Sequence, residues 1–273
     1  MLDLLKKIPE AAEAVRARWD KTPKAGVILG TGLGPLTKEI EVEAEIPYGE
    51  IPHFLSSTAT GHAGRLVCGT LDGAAVVAME GRFHMYEGYA LKDVTLPVRV
   101  FKELGAELMV VSNAVGGMNP NYALGDLMVI DDHINLMGDN PLIGINHEDL
   151  GPRFPDMSEP YVQRLGEVAL ETARRENFAC HKGVLVAIAG PNLETRAEYR
   201  FLRQIGADVV GMSTVPEVIT AVHAGLPAFG VSVVTDRCLP DALEPADVET
   251  IIRVAEEAGP KLLAVVRSVI AAA

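Results

Sequence analysis

The chain has 273 residues, of which 48% are hydrophobic and 22% charged. That is enough apolar side chain for one large core and too little charge for wholesale disorder. Its 24 basic and 37 acidic residues leave a net charge of −13, which argues against non-specific nucleic-acid binding and against an anionic membrane surface. An anionic substrate stays open, because a few local cations outweigh a distant field that salt screens.

Residues 3–19 place Leu4, Leu5, Ile8, Ala11, Ala12 and Val15 at helical spacing, which predicts an amphipathic helix. Asp3, Lys6, Lys7 and Glu10 interrupt it, so it lacks the apolar core of a signal peptide. No stretch approaches the roughly 20 apolar residues that span a bilayer. Strands are predicted at 25–29, 65–69, 74–79, 108–112, 127–130, 184–188, 208–210 and 228–234, several as near-continuous apolar runs suited to a sheet covered on both faces. Helical periodicity falls at 91–104, 159–176, 195–205, 214–224 and 246–271. This alternation predicts an α/β fold with a parallel or mixed sheet, in one domain over 1–273. The Pro/Gly/Asn-rich segment 137–156 reads as a long loop with a functional role. Cys68, Cys180 and Cys238 are odd in number and far apart. They suggest neither a disulfide framework nor a metal site, and they fit a reducing cytoplasm.

The chemistry concentrates where strands end, as in open α/β sheets generally. Gly81-Arg82-Phe83-His84-Met85-Tyr86-Glu87-Gly88-Tyr89 follows the strand at 74–79. Arg82 and His84 can both give charge-assisted hydrogen bonds to an oxyanion such as phosphate; the bland alternative is a surface hairpin with solvated charges. Gly30-Thr31-Gly32-Leu33-Gly34 follows the first strand and can bring backbone N–H groups to an anion. It lacks the spacing of the dinucleotide fingerprint and of a Walker loop, and a tight turn without ligand fits equally. His62 lies between glycines in Thr60-Gly61-His62-Ala63-Gly64, and Ser112-Asn113-Ala114-Val115-Gly116-Gly117 ends another strand. Glu194, in Ala189–Thr195, is either a helix-dipole partner or a carboxylate that accepts an N–H from a planar base. Ser213 or Thr214 reads as a cap or a ligand, and Met212 as core or contact. Val234-Thr235-Asp236-Arg237 makes the last such junction.

Taken together and in order, these segments, with Asp132-His133-Ile134-Asn135-Leu136 and Gly211–Glu217, resemble the trimeric-type purine nucleoside phosphorylases over nearly the whole length. The resemblance implies a mixed, distorted barrel-like sheet flanked by helices, and a homotrimer with sites near subunit contacts. It implies reversible phosphorolysis of purine nucleosides, chiefly inosine and guanosine, with inorganic phosphate as co-substrate and neither cofactor nor metal. Thr31, His62, Arg82, His84, the backbone at Ala114, and Ser213 would then hold phosphate. Tyr86 and Met212 would contact ribose, Glu87 would orient His84, and Glu194 would grip the purine. His84, Glu194 and Asp236 would carry the catalytic roles.

Four positions depart from the family's pattern. Asp236 stands where the 6-oxopurine enzymes have Asn, and Val248 where they have His near the ribose 5′-hydroxyl. Leu193 and Leu150 replace aromatics, the latter one that relatives lend to a neighbouring subunit. Asp236 and Val248 raise the alternative of an adenosine or methylthioadenosine phosphorylase. A dinucleotide-dependent oxidoreductase and a non-catalytic purine binder are the remaining rivals.

Overall fold

The computed structural model describes residues 2–58 and 63–273. The first helix, α1 (Leu4–Arg16), buries the predicted stripe of Leu4, Ile8, Ala11, Ala12 and Val15. Strands β1 (Ala25–Leu29), β2 (Glu41–Pro47), β3 (Arg65–Leu71), β4 (Ala74–Glu80), β5 (Leu108–Gly117), β6 (Leu127–Leu136), β7 (Cys180–Ile188), β8 (Val209–Gly211) and β9 (Ala228–Arg237) form one sheet in the order β2-β3-β4-β1-β5-β8-β7-β6-β9. β1 lies parallel to β4 and to β5, β5 lies parallel to β9, and β6 to β7 and β7 to β8 are also parallel. The pairs β2–β3, β3–β4, β5–β8 and β6–β9 are antiparallel.

The mixed sheet curls because β5 has two neighbours on one side. Residues 109–117 pair with β9, while Gly116 and Gly117 also pair with Val210 and Val209 of β8. The path β5-β8-β7-β6-β9 therefore returns to β5 and closes a barrel-like ring. Helices α2 (Leu91–Val94), α3 (Leu96–Glu103), α4 (Gln163–Arg175), α5 (Arg196–Gln204), α6 (Val215–His223), α7 (Val248–Glu257) and α8 (Gly259–Ala272) flank it. Near-continuous burial of β1 reflects cover on both faces.

Several boundaries differ from the sequence expectation. β2 has no predicted counterpart: its only buried residue is Ile46, and Glu41, Glu43 and Glu45 give it no apolar run. An acidic edge strand of this kind resists pairing with other chains. The helix expected at 91–104 breaks at Thr95 ahead of Pro97, and the one expected at 246–271 breaks at Gly259-Pro260. Proline, which lacks an N–H, fits the first turn of a new helix and not the middle of an old one. β5 and β6 run several residues past their apolar segments, into the polar residues Asn113 and Asp131–His133.

The long loop holds only a short turn at Glu148–Leu150 and is pinned from inside. Buried Arg99 on α3 donates to the carbonyl of Leu150 at 3.2 Å and to His223 Nδ1 at 3.1 Å. His223 Nε2 then donates to Asn146 Oδ1 at 3.2 Å. Because arginine cannot accept, His223 must be neutral with its proton on Nε2. Burial, followed by the charge of Arg99, pushes its pKa down from 6.5 to about 4. Leu150 is thereby buried within the chain, whereas nearby Phe154 is 86% exposed beneath Arg153.

A folded-state pKa below the unfolded one gives stability that is complete above the unfolded value and is lost on acidification. The unfolding free energy should therefore fall as pH drops from about 6.5 to about 4. Urea titrations across that window should show a shallower slope for His223→Gln.

Candidate active site

One cavity of about 500 Å³ collects every described candidate: Thr31, Arg82, His84, Tyr86, Ala114, Glu194, Met212, Ser213, Asp236 and Val248. His62 lies outside the described residues. The cavity sits where β1, β4, β5, β7, β8 and β9 end, so residues far apart in sequence are delivered by neighbouring strands.

Thr31 follows β1 in the glycine loop. Gly30 permits this loop to lie against β5, since a Cβ there would stand 2.8 Å from Asn113 Cα. The loop continues into a 3-10 turn, Gly34–Glu39, with Pro35 in its first turn. No long helix opens behind it, so the pyrophosphate-binding geometry of a dinucleotide fold is absent here.

Arg82 leaves β4 and is 2% exposed. Its guanidinium donates to Thr214 Oγ1 at 3.0 Å and to the Ser112 carbonyl, and lies 3.2 Å from Glu217 Oε1. Burial lowers its pKa and the Glu217 charge opposes that, so Arg82 stays a cation. Solvated surface charge is excluded as its role. His84 is 6% exposed, with Nδ1 3.1 Å from Glu87 Oε1, and stacks on Tyr86 at 4.5 Å between ring centres. The backbone N–H of His84 also donates to Glu87 Oε1 at 2.8 Å, and Thr58 donates to Oε2 through its N–H and hydroxyl. Burial raises the Glu87 pKa, but these hydrogen bonds more than offset it and hold the carboxylate ionised. Burial, then Glu87, pushes the Tyr86 phenol up to about 12.

The capping alternatives are resolved by geometry. At the start of α5, Thr195 and Glu198 form the capping box, with Thr195 N to Glu198 Oε2 at 2.7 Å. Glu194 is not used there. It is 9% exposed, lines the cavity, and its Oε1 has no hydrogen-bond partner among the described residues. Burial raises its pKa, the Tyr199 hydrogen bond opposes, and Asp236 adds to the rise. At the start of α6, Thr214 makes no side-chain cap, because its hydroxyl receives Arg82. Asp236, at the end of β9, accepts from Thr235 Oγ1 at 3.0 Å and from Cys238 Sγ at 3.1 Å. Val248, the first residue of α7, is 57% exposed at the rim. Leu193 lines the cavity and Leu150 does not.

A second cavity of about 680 Å³ adjoins the first and shares Leu193, Glu194, Thr235, Asp236 and Ile251 with it. Thr31, Arg82, His84 and Ser213 lie only on the first. The main cavity thus has a cationic, donor-rich end and an end with two carboxylates. The sequence reading missed Thr58, Asn113 and Glu217 as parts of this machinery. Asn113 and Thr58 line the cavity, and Glu217 balances Arg82. Only the hydroxyl run Ser56-Ser57-Thr58 carries a visible signal.

A model of the phosphorylase superfamily matches residues 24–271. Purine nucleoside phosphorylase 1 of Bacillus subtilis (strain 168) is 48% identical over 265 residues, which cover 97% of this chain and 98% of that one. The chain belongs to the purine nucleoside phosphorylases. Purine nucleoside phosphorylase of Bos taurus is 47% identical, covering 93% of this chain and 90% of its own. The solved structure of Schistosoma mansoni purine nucleoside phosphorylase in complex with adenosine matches with a TM-score of 0.92 at 39% identity, over 97% of this chain and 96% of that one. A schistosoma purine nucleoside phosphorylase in complex with hypoxanthine matches at 0.91 with the same identity and coverage. The barrel-like sheet expected from the resemblance is thus the fold found.

The buried pair predicts an asymmetry. Glu217→Ala leaves Arg82 without its counter-charge and should cost about 3–5 kcal/mol in urea unfolding. The apolar double replacement Arg82→Met with Glu217→Leu should recover much of that loss, though without activity.

Proposed function

We propose that the chain catalyses reversible phosphorolysis of purine ribonucleosides and deoxyribonucleosides, chiefly inosine and guanosine, to free base and pentose 1-phosphate. The observation that carries this is one cavity with a buried cation and hydroxyl donors at one end and, at the other, a buried carboxylate oxygen with no hydrogen-bond partner among the described residues. Thr31, Arg82, His84, the backbone at Ala114, and Ser213 bind phosphate, joined by His62. Tyr86 and Met212 hold the ribose. Glu194 accepts N1–H of a 6-oxopurine.

Phosphate is already a nucleophile, so no protein nucleophile is required. The C–N bond breaks early, leaving an oxocarbenium-like sugar and an electron-rich purine. The donor end fixes phosphate in line with C1′, where its charge also stabilises the cationic sugar. His84, oriented by Glu87, donates to phosphate. Glu194 holds the purine, and Asp236 stands where charge develops around N7. A protonated Asp236 would donate to N7, whereas an ionised one would oppose the developing charge and accept from an exocyclic amine.

This second property favours an alternative substrate. Asp236 with apolar Val248 suits adenosine or methylthioadenosine, whose 6-amino group supplies the donor. Adenine has a bare acceptor at N1, against which Glu194 discriminates. We further propose a homotrimer with sites near subunit contacts, a place in purine salvage, and a cytoplasmic enzyme without cofactor or metal. Among the described residues, no helix is long and apolar enough to cross a membrane.

Release of free base from inosine, guanosine, adenosine and methylthioadenosine, each with and without phosphate, tests the reading. Phosphate-dependent release from the oxopurine nucleosides is expected, and release without phosphate would make the enzyme a hydrolase. Ser213→Ala should raise KM for phosphate about tenfold or more, the worth of a hydrogen bond to a charged group. Asp236→Asn should shift the ratio of kcat/KM values toward inosine.

A further inference from the structure

Two side chains behind the base end have no assigned role. Tyr199 of α5 is 2% exposed and Cys238, just past β9, is 1% exposed. Both line the second cavity and neither lines the first, so they stand behind Glu194 and Asp236 as seen from a bound purine. Cys238 Sγ donates to Asp236 Oδ2 at 3.1 Å. The Tyr199 hydroxyl lies beside the Glu194 carboxyl and the Cys238 thiol and interacts with both. The thiol fits in this position because Gly116 has no side chain: a Cβ there would stand 2.4 Å from Sγ.

We propose that Tyr199 and Cys238 are positioning residues that join the two base-facing carboxylates into one hydrogen-bonded unit and so set the purine preference. The inference rests on the phosphorolysis reading of the same site.

Proton counting gives the mechanism. Two carboxylates face one cavity, and the charges acting on Glu194 come from Asp236 and Glu198, both acidic. Burial and this repulsion favour proton uptake, and only neutral donors oppose it. Tyr199 and Cys238 have one proton each. The phenol serves Glu194 and the thiol serves Asp236, while the one Thr235 hydroxyl proton is shared between the other Asp236 oxygen at 3.0 Å and the Val115 carbonyl at 3.2 Å. Each carboxylate thereby has an oxygen engaged as an acceptor. Glu194 keeps Oε1 for a purine N–H, and Asp236 is biased toward accepting from an exocyclic amine. Loss of the thiol donor removes what orients the Asp236 carboxylate toward an exocyclic amine, which weakens adenine binding relative to 6-oxopurines. Loss of the phenol donor raises the pKa at which Glu194 becomes able to accept N1–H.

The test measures dissociation constants of hypoxanthine and adenine, together with the pH profile of kcat/KM for inosine, in the full-length protein. Cys238→Ala should move the hypoxanthine-to-adenine affinity ratio toward hypoxanthine by about fivefold or more, the scale of a hydrogen bond to a charged group. Cys238→Ser, which keeps a donor, should restore the original ratio. Tyr199→Phe should shift the acid limb of the inosine profile to higher pH. A purely structural role would lower both affinities together and leave ratio and limb in place. That result, with inosine turnover intact in the unsubstituted chain, overturns the proposal alone. Absence of phosphate-dependent turnover in the unsubstituted chain overturns the functional reading and the proposal with it.

Discussion

The buried guanidinium of Arg82 ties together the parts of this molecule that must meet. It starts from the end of β4, reaches the Ser112 carbonyl on β5, and contacts Thr214 and Glu217 at the start of α6. A cation at 2% exposure is tolerable only if opposite charge and hydrogen bonds replace water. Glu217 supplies the charge and two oxygens from separate elements supply the bonds. In return Thr214 is held at φ +74°, an unfavourable conformation for a β-branched residue that costs about 1–3 kcal/mol. That local strain turns the chain sharply between β8 and α6 and leaves Ser213 on the cavity wall. The cationic end of the cavity therefore depends on an ion pair whose own worth to stability is small, because desolvation consumes much of the attraction.

The opposite end is built on the reverse principle. The charges acting on Glu194 among the described residues are acidic, and the donors to Glu194 and Asp236 there are hydroxyl, phenol, thiol and backbone N–H groups. Such a site stores unfavourable electrostatics that a ligand offering N–H groups relieves. The two ends thus differ in what they await: one a multiply charged anion, the other a neutral ring edge with donors. A nucleoside bound beside phosphate satisfies both at once.

Much of this was readable in the chain because the cationic end of the cavity is assembled from contiguous motifs. Gly30–Gly34 and Gly81–Tyr89 each put their ligating groups within a few residues of a recognisable apolar strand, and the structure brings those groups to one cavity. What escaped is what depends on contacts across the fold. Glu217 reads as an ordinary acid in the first turn of a helix, yet it neutralises a residue 135 positions earlier in sequence. Tyr199 sits on a helix face that reads as core, and Cys238 as a lone cysteine. Strand β2 escaped because edge strands need little apolar character, and the helix breaks at Thr95 and Gly259 because periodicity runs across a proline without registering the missing N–H. The anchoring of the long loop by Arg99 and His223 has no local signature at all.

The departures from the family's pattern follow the same division. Asp236, Val248 and Leu193 lie at the base end or the rim, where Val248 and Leu193 are 57% and 46% exposed. Replacing such residues changes what the cavity prefers but disturbs little packing. Arg82 and Thr214 are each 2% exposed or less and are bonded to one another, and Arg82 is bonded also to β5. Exchange there would leave a buried charge or donor unpaired, at a cost comparable to a large part of a domain's net stability. On the proposed reading, the chemistry of phosphate attack is bound into the fold itself, while the choice of purine is left to residues that the fold can spare.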